Sequence, residues 1–480
     1  MTKKLIIALD NLSKDEAKTL VEKICSQSSL SLDRIIFKVN DLISLVGFEG
    51  LKDIFHDKRA FIMLDGKYYD IGNTVSNYLK ALKKSGLDKQ VELFTIHASN
   101  SFDCLRNLVK TRDDLGLNHI KFLAITLLTS LDSSDSFGVY YDTPKNTVLN
   151  LAHIAQKSGI DGVVCSALES QMIREVFGEN FLIVNPGIRF ESENSGDQKR
   201  VATSKDAINF GANHIVMGRS ILGSDDITNA IKKAIDEMDE GNYKKTNDFE
   251  FEKILTTGSW QEILEYIGVV YSRREGGKYC RLTSSLISDT YINIGVLERY
   301  PSVLKKISLD LREKLINSKL FDENKADDYV VMGSQMGSVR ISAILSFALG
   351  IMQNSIYSEK GGADDKEMLL KRHYINLKGK KVILSEDIVN VGSTIEKMVE
   401  LVKAQGGEVV AITCVGNRYG KEDFNGIPLI YCFLPPKFNL YYDDETLIEA
   451  RKDYPKIPDG VIISKKPKNE RNELILSMRK

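Results

Sequence analysis

Eight short apolar runs recur through the first half of the chain: Leu5–Asp10, Arg34–Val39, Ala60–Asp65, Leu93–Ala98, Phe122–Thr129, Gly162–Ala167, Phe181–Ile188 and His214–Arg219. The spacers between them carry helix-period patterns, as in Ser13–Lys23 and Thr147–Lys157. Apolar runs alternating with amphipathic helices call for a parallel sheet covered by helices. Eight such units in about 240 residues fit one closed (β/α)8 TIM barrel, with a doubly wound open sheet as the competing arrangement. No Gly-rich dinucleotide fingerprint follows the first run, which counts against the open sheet.

The run ends carry the polar chemistry. Asp10, Lys38, Asp65, His97, Thr129, Ser166 and Arg219 each lie at or near the C-terminal end of a run, the face on which such barrels build their sites. In a strand, residues i and i+2 point the same way, so Asp65 and Lys67 of Asp65-Gly66-Lys67-Tyr68-Tyr69-Asp70 are both expected at the mouth. With Lys38 from the neighbouring strand and Asp70 on the following turn, the charges alternate. Carboxylates flanking Lys67 keep it an ammonium, hence a proton donor rather than a nucleophile. A carboxylate held against a substrate anion destabilises that anion, and Lys67 can protonate the carbanion left when CO2 departs. A satisfied salt-bridge network at the rim is the bland alternative. Pro186-Gly187-Ile188-Arg189, the loop Gly196-Asp197-Gln198-Lys199-Arg200 and Met217-Gly218-Arg219-Ser220 supply an anion site near strands seven and eight. There Arg219 offers a bidentate fork and Gly218 allows close approach.

Lys+Arg 65 nearly balances Asp+Glu 66 for a net charge of −1, which predicts neither a nucleic-acid nor a membrane surface. The six cysteines form no CxxC pair and the six histidines no zinc spacing. Free thiols in a reducing, cytoplasmic setting are expected. Met1-Thr2-Lys3-Lys4 does not begin a signal peptide, and no run approaches the roughly 18 apolar residues of a membrane span.

A polar stretch, Asp236–Phe251, reads as a linker. Domains are expected over 1–240 and 253–480. The second half predicts helices Ser302–Asn317 and Ser338–Leu349, and strands Tyr329–Met332, Lys381–Ser385, Glu408–Val415 and Pro428–Cys432. Its informative segment runs from Val382 to Thr394: a strand, the acids Glu386 and Asp387, then a tight loop Asn390-Val391-Gly392-Ser393-Thr394 opening a helix. Amides and hydroxyls there can cradle a phosphate at a helix N-terminus, and the acids can bind a ribose diol or its magnesium. A plain helix cap is the alternative.

The first half resembles orotidine 5′-monophosphate (OMP) decarboxylase. The resemblance rests on Ala8-Leu9-Asp10, Phe37-Lys38-Val39, the Asp-x-Lys-x-x-Asp-Ile-x-Asn-Thr run from Asp65 to Thr74, Leu128-Thr129-Ser130, Asp161–Ala167, Pro186–Arg189, Gly196-Asp197-Gln198 and Val216–Arg219. It implies a cofactor-free decarboxylase acting as a dimer, with Asp70, Ile71 and Thr74 reaching into the partner's site. It assigns ribose contacts to Asp10 and Lys38, proton donation to Lys67, pyrimidine contact to Thr129, and phosphate binding to Arg189, Gln198 and Arg219. Tyr68-Tyr69 stands where Phe-His is common, and Gly72 where Pro is common. The second half is similar to the type I phosphoribosyltransferases, particularly orotate phosphoribosyltransferase. Thr290-Tyr291-Ile292-Asn293 matches the orotate strand, Gly333-Ser334-Gln335-Met336-Gly337 the pyrophosphate loop, and Arg418 the orotate-contacting arginine. Magnesium is implied with phosphoribosyl pyrophosphate (PRPP) near Glu386 and Asp387. Departures are Thr283-Ser284-Ser285 in place of Lys-Ser-Gly, Asn390 in place of Thr, and a poorly kept Arg-Lys-x-x-Lys at Ile356–Lys360. Lys360, Lys366, Lys371 or Arg372 are candidates to supply the missing charge. The order, decarboxylase first, is the inverted form of bifunctional uridine monophosphate (UMP) synthase. The other reading keeps the decarboxylase and makes the second half impaired, regulatory or specific for another base.

Overall fold

The computed structural model describes residues 2–55, 59–191, 202–272, 280–281, 287–288, 290–335, 337–361, 367–370, 375–390, 392–435 and 440–441. The chain divides into two compact units, Met1–Thr256 and Thr257–Lys480.

In the first unit eight parallel strands close a barrel: β1 (Lys4–Ala8), β2 (Ile35–Val39), β3 (Phe61–Tyr68), β4 (Val91–His97), β5 (Lys121–Ile125), β6 (Gly162–Val164), β7 (Leu182–Asn185) and β8 (His214–Met217). The closed arrangement excludes the open sheet. Strand alternation sorts the side chains. Leu5, Ile7, Phe37, Val39, Ile62 and Leu64 point outward into the main core beneath the helices. Ile6, Ala8, Ile36, Met63, Leu93, Leu123, Val184 and Val216 fill the barrel interior. Asp10, Lys38 and Asp65 each follow an interior residue by two, so the pleat directs them to the top of the same interior. Helix starts are fixed locally. Ser13 accepts from Glu16 N–H while Glu16 accepts from Ser13 N–H, a reciprocal cap that opens helix Lys14–Cys25.

The stretch read as a linker is held to the barrel. Helix Ile227–Glu240 covers its first part. Beyond it, Lys3 Nζ donates to Gly241 O (2.8 Å), Asn242 N–H to Asn209 Oδ1 (2.8 Å), and Thr246 N–H and Oγ1 to Glu175 Oε1 (3.1 and 2.9 Å). Phe249 packs against the main core.

In the second unit a six-stranded sheet has the order Ser355–Tyr357, Tyr329–Gly333, Lys381–Val389, Glu408–Asn417, Ile427–Phe433, Asp423–Phe424; all neighbours are parallel except the last pair. Helices Pro301–Asn317 and Val339–Ala348 form where the sequence predicts them. Helix Ser393–Ala404 packs Ile395, Met398 and Val402 on Val382, Leu384 and Ile412. No described helix is long and apolar enough to cross a membrane. Cys25, Cys104, Cys165, Cys414 and Cys432 are free thiols.

Candidate functional site

A cavity of about 780 Å³ opens at the C-terminal end of the barrel strands. Its lining includes Asp10, Lys38, Asp65, Lys67, Thr129, Arg189, Gly218 and Arg219. The charges form a relay. Lys38 Nζ lies 2.8 and 3.0 Å from the two Asp10 oxygens and 3.2 Å from Asp65 Oδ2, which in turn accepts from Lys67 Nζ at 2.6 Å. Lys38 and Asp65 are 6% and 5% exposed, and charges so buried require the paired partners this relay gives them. Burial alone would depress the Lys38 ammonium; the attraction of Asp65 and Asp10 outweighs it and raises the pKa above the usual lysine value. Lys67 is more open, with a third of its side chain reaching the cavity.

The backbone that presents Lys67 is not a regular strand. In the β3–β4 ladder Leu64 pairs with Phe94 and Tyr68 with Ile96, so three residues, Asp65-Gly66-Lys67, bulge opposite Thr95 alone. Lys67 sits at φ 45°, a left-handed conformation uncommon for a side-chain-bearing residue. The expected simple alternation of Asp65 and Lys67 is therefore corrected: both reach the cavity, but through a bulge. Tyr68 closes the bulge from beneath, its ring stacked on Phe94 at 4.8 Å and tilted against Tyr78 at 4.4 Å. A Cβ on Gly66 would lie 2.6 Å from the Tyr68 ring, so this tyrosine occupies the room a side chain at 66 would need.

The remaining predicted residues divide. Asp70, Ile71 and Thr74 lie outside the cavity; Ile71 is 72% exposed, and Asp70 Oδ1 accepts from the Ile71 N–H at 2.7 Å. The alternating set therefore closes with Asp10, not with Asp70 of the same chain. His97 and Ser166 also miss the cavity. His97 is half-buried and desolvation depresses its pKa, while the fully buried Ser166 caps helix Ala167–Phe177. Arg189 Nε is buried without a hydrogen-bond acceptor among the described residues. Gln198 and its loop lie outside the described residues. Sequence reasoning missed Asn11 and Asn40, which line the cavity. Asn11 holds φ 62° with its N–H on Asp41 Oδ2; an Asn after a strand-end Asp was the available signal.

In the second unit the strand expected to end at Ser385 runs on to Val389, so Glu386 and Asp387 lie within it. Burial raises the pKa of both, and their mutual repulsion adds to the effect at Glu386. Glu386 Oε2 is buried without a hydrogen-bond partner among the described residues. A Cβ on Gly337 would strike the Asp387 carboxylate, so Gly337 lies directly on that acid. Gly392 takes φ 80° against the Phe424 ring and precedes Ser393 and Thr394, which open the helix. Asn390 is exposed, Arg418 N–H donates to Val389 O, and Tyr291 stands on a separate two-stranded sheet. Val391, Met336, Thr283–Ser285, Lys366, Lys371, Arg372 and the Lys360 side chain lie outside the described residues. No three His, Cys, Asp or Glu among the described residues form a metal cage. A divalent ion at the acid pair would need ligands from the substrate, and the orphaned Glu386 oxygen fits that arrangement.

Comparison with known proteins accords with this geometry. Residues 3–234 match the orotidine 5′-phosphate decarboxylase / HUMPS family and residues 304–431 the phosphoribosyl transferase domain. The orotidine 5′-phosphate decarboxylase of Fusobacterium nucleatum is 37% identical over 227 residues, 47% of this chain and 91% of that protein. That of Actinobacillus pleuropneumoniae serotype 5b is 34% identical over 234 residues, 48% of this chain and 97% of its own length. The structure of Leishmania donovani UMP synthase covers 99% of this chain and 96% of its own at 16% identity and a TM-score of 0.38, too low a score to weigh on function. The chain belongs to the orotidine 5′-phosphate decarboxylase family, its decarboxylase domain being followed by a phosphoribosyltransferase domain.

Proposed function

We propose that the chain makes UMP in two steps. The second unit transfers the phosphoribosyl group of PRPP to orotate, and the barrel decarboxylates the resulting OMP. The observation that carries the second step is the Asp10–Lys38–Asp65–Lys67 relay lining one cavity with Arg189 and Arg219. Phosphate binds Arg189 and Arg219 beside the Gly218 backbone, with Gln198 as a further ligand. The ribose hydroxyls meet Asp10 and Lys38, and the pyrimidine meets Thr129. This places the substrate carboxylate against Asp65. The repulsion is relieved as the C6–carboxylate bond breaks, its electron pair staying on C6 while CO2 leaves. Lys67 Nζ stabilises the developing carbanion and gives it a proton. Asp70, Ile71 and Thr74, exposed on their own subunit, serve the neighbouring site of a homodimer.

For the first step, Glu386 and Asp387 hold the ribose diol of PRPP. The Gly392 turn with Ser393 and Thr394 grips its 5′-phosphate, with Asn390 and Val391 in the same loop, and Tyr291 and Arg418 contact orotate. Magnesium, bound with PRPP, supplies charge neutralisation of the pyrophosphate leaving group. The purified chain given orotate, PRPP and magnesium should form UMP. If OMP is decarboxylated but orotate is not consumed, the first step fails and the second stands. Lys67→Ala should lower OMP turnover by at least about 10²–10⁴-fold with an unchanged melting curve; near-native turnover removes Lys67 from the mechanism.

A further inference from the structure

Thr95 belongs to no charge pair, yet it sits opposite the bulge that carries both central catalytic groups. It is the middle residue of the apolar run Phe94-Thr95-Ile96 and is fully buried. Its neighbours Phe94 and Ile96 make the flanking rungs to Leu64 and Tyr68, so Thr95 alone spans Asp65-Gly66-Lys67. A bulge strips the ladder of a partner for one N–H. Here the hydroxyl takes that place: Thr95 Oγ1 accepts from Lys67 N–H at 2.9 Å. The same oxygen lies 3.1 Å from Asp65 Oδ1 and 3.4 Å from Leu64 O. A hydroxyl has one proton, and the nearer, charged carboxylate is the better acceptor. One oxygen therefore ties the backbone of the proton donor to the carboxylate that opposes the substrate anion, while Asp65 Oδ2 remains with Lys67 Nζ and Lys38 Nζ.

We propose that Thr95 is a positioning residue for decarboxylation, fixing the spacing of Asp65 and Lys67 through this two-way hydrogen bond. The proposal rests on the reading of Asp65 and Lys67 as the reacting pair. Its consequence is kinetic more than structural. This hydroxyl anchors the left-handed backbone at Lys67 to β4. Without the bond, Lys67 can relax toward commoner backbone conformations and Asp65 can rotate away from the substrate.

The test compares Thr95→Val, isosteric but without the hydroxyl, with Thr95→Ser, which keeps it, in the full-length chain assayed with OMP. Thr95→Val should lower kcat about 10- to 100-fold, the range for losing a hydrogen bond to a charged group, with KM changed less than about threefold. Thr95→Ser should recover most of the loss. If Thr95→Val does not fold, Thr95→Ala, whose smaller side chain also lacks the donor, is read in the same way. A kcat within threefold of wild type in the folded variant, or a loss that Thr95→Ser does not recover, overturns the proposal. Lys67→Ala measured alongside separates the two failures. If it stays active, the underlying reading falls and Thr95 with it; if it is inactive while Thr95→Val is normal, only Thr95 falls.

Discussion

His214 shows how far a single residue's surroundings decide its charge. It lies on β8 at the end of the barrel remote from the cavity, 3% exposed, with its Nδ1 accepting from Lys4 N–H at 3.1 Å. Burial, reinforced by the Lys4 charge, lowers its pKa to about 4. The folded state therefore refuses a proton that the unfolded chain accepts below about pH 6.5. Stability conferred by the neutral ring is complete above that value. It is lost as pH falls toward about 4, by at most about 3 kcal/mol for a shift of this size. His214→Gln, which keeps an acceptor but cannot titrate, should flatten the decline in melting temperature between pH 6.5 and 4. An equal decline in both proteins would assign the acid sensitivity elsewhere. In the cavity, by contrast, Lys38 is kept charged by Asp10 and Asp65 on either side.

At the level of elements, the barrel was legible because every strand is a short apolar run and its polar residues fall at one end. Lys38 follows Ile36 and Asp65 follows Met63, so the pleat alone sends both inward. The bulge after Leu64 was not legible: it replaces alternation by a turn that only the pairing with β4 reveals. Thr95 escaped for the related reason that a polar residue inside an apolar run reads as strand filler. The bulge also ties two positions together. Gly66→Ala should destabilise the barrel by about 1–3 kcal/mol, the usual penalty for overpacking, because Tyr68 is wedged between Phe94 and Tyr78 and cannot yield. Tyr68→Ala should be destabilising alone, yet the double variant should lose less than the sum. Strictly additive losses in denaturant titrations would show that the two positions do not share space. In the second unit, Ser355–Tyr357 and Asp423–Phe424 are too short for periodicity to mark. The strand to Val389 outran its apolar core because Glu386 and Asp387 interrupt the pattern without ending the ladder to Glu408–Asn417.

For the molecule as a whole, the two halves were legible to different depths. The barrel motifs form one connected charge network, so each match supports the others. In the second unit the acid pair and the Gly392 turn come together on one strand and its helix, while Lys366, Lys371, Arg372 and the Lys360 side chain fall outside the described residues. The segment after Glu240 bears on how the halves can be separated. Its hydrogen bonds to Glu175 and Asn209, and the seat of Phe249 on the core, make it the outer wall of the barrel rather than a tether. A barrel ending at residue 240 should thus melt lower than one ending at 256, and limited proteolysis of the intact chain should spare 241–249; early cleavage there would show the wall to be loose. The fully stable barrel in this chain is then longer than its eight strand–helix repeats, because part of its outer surface is made by the segment that follows them.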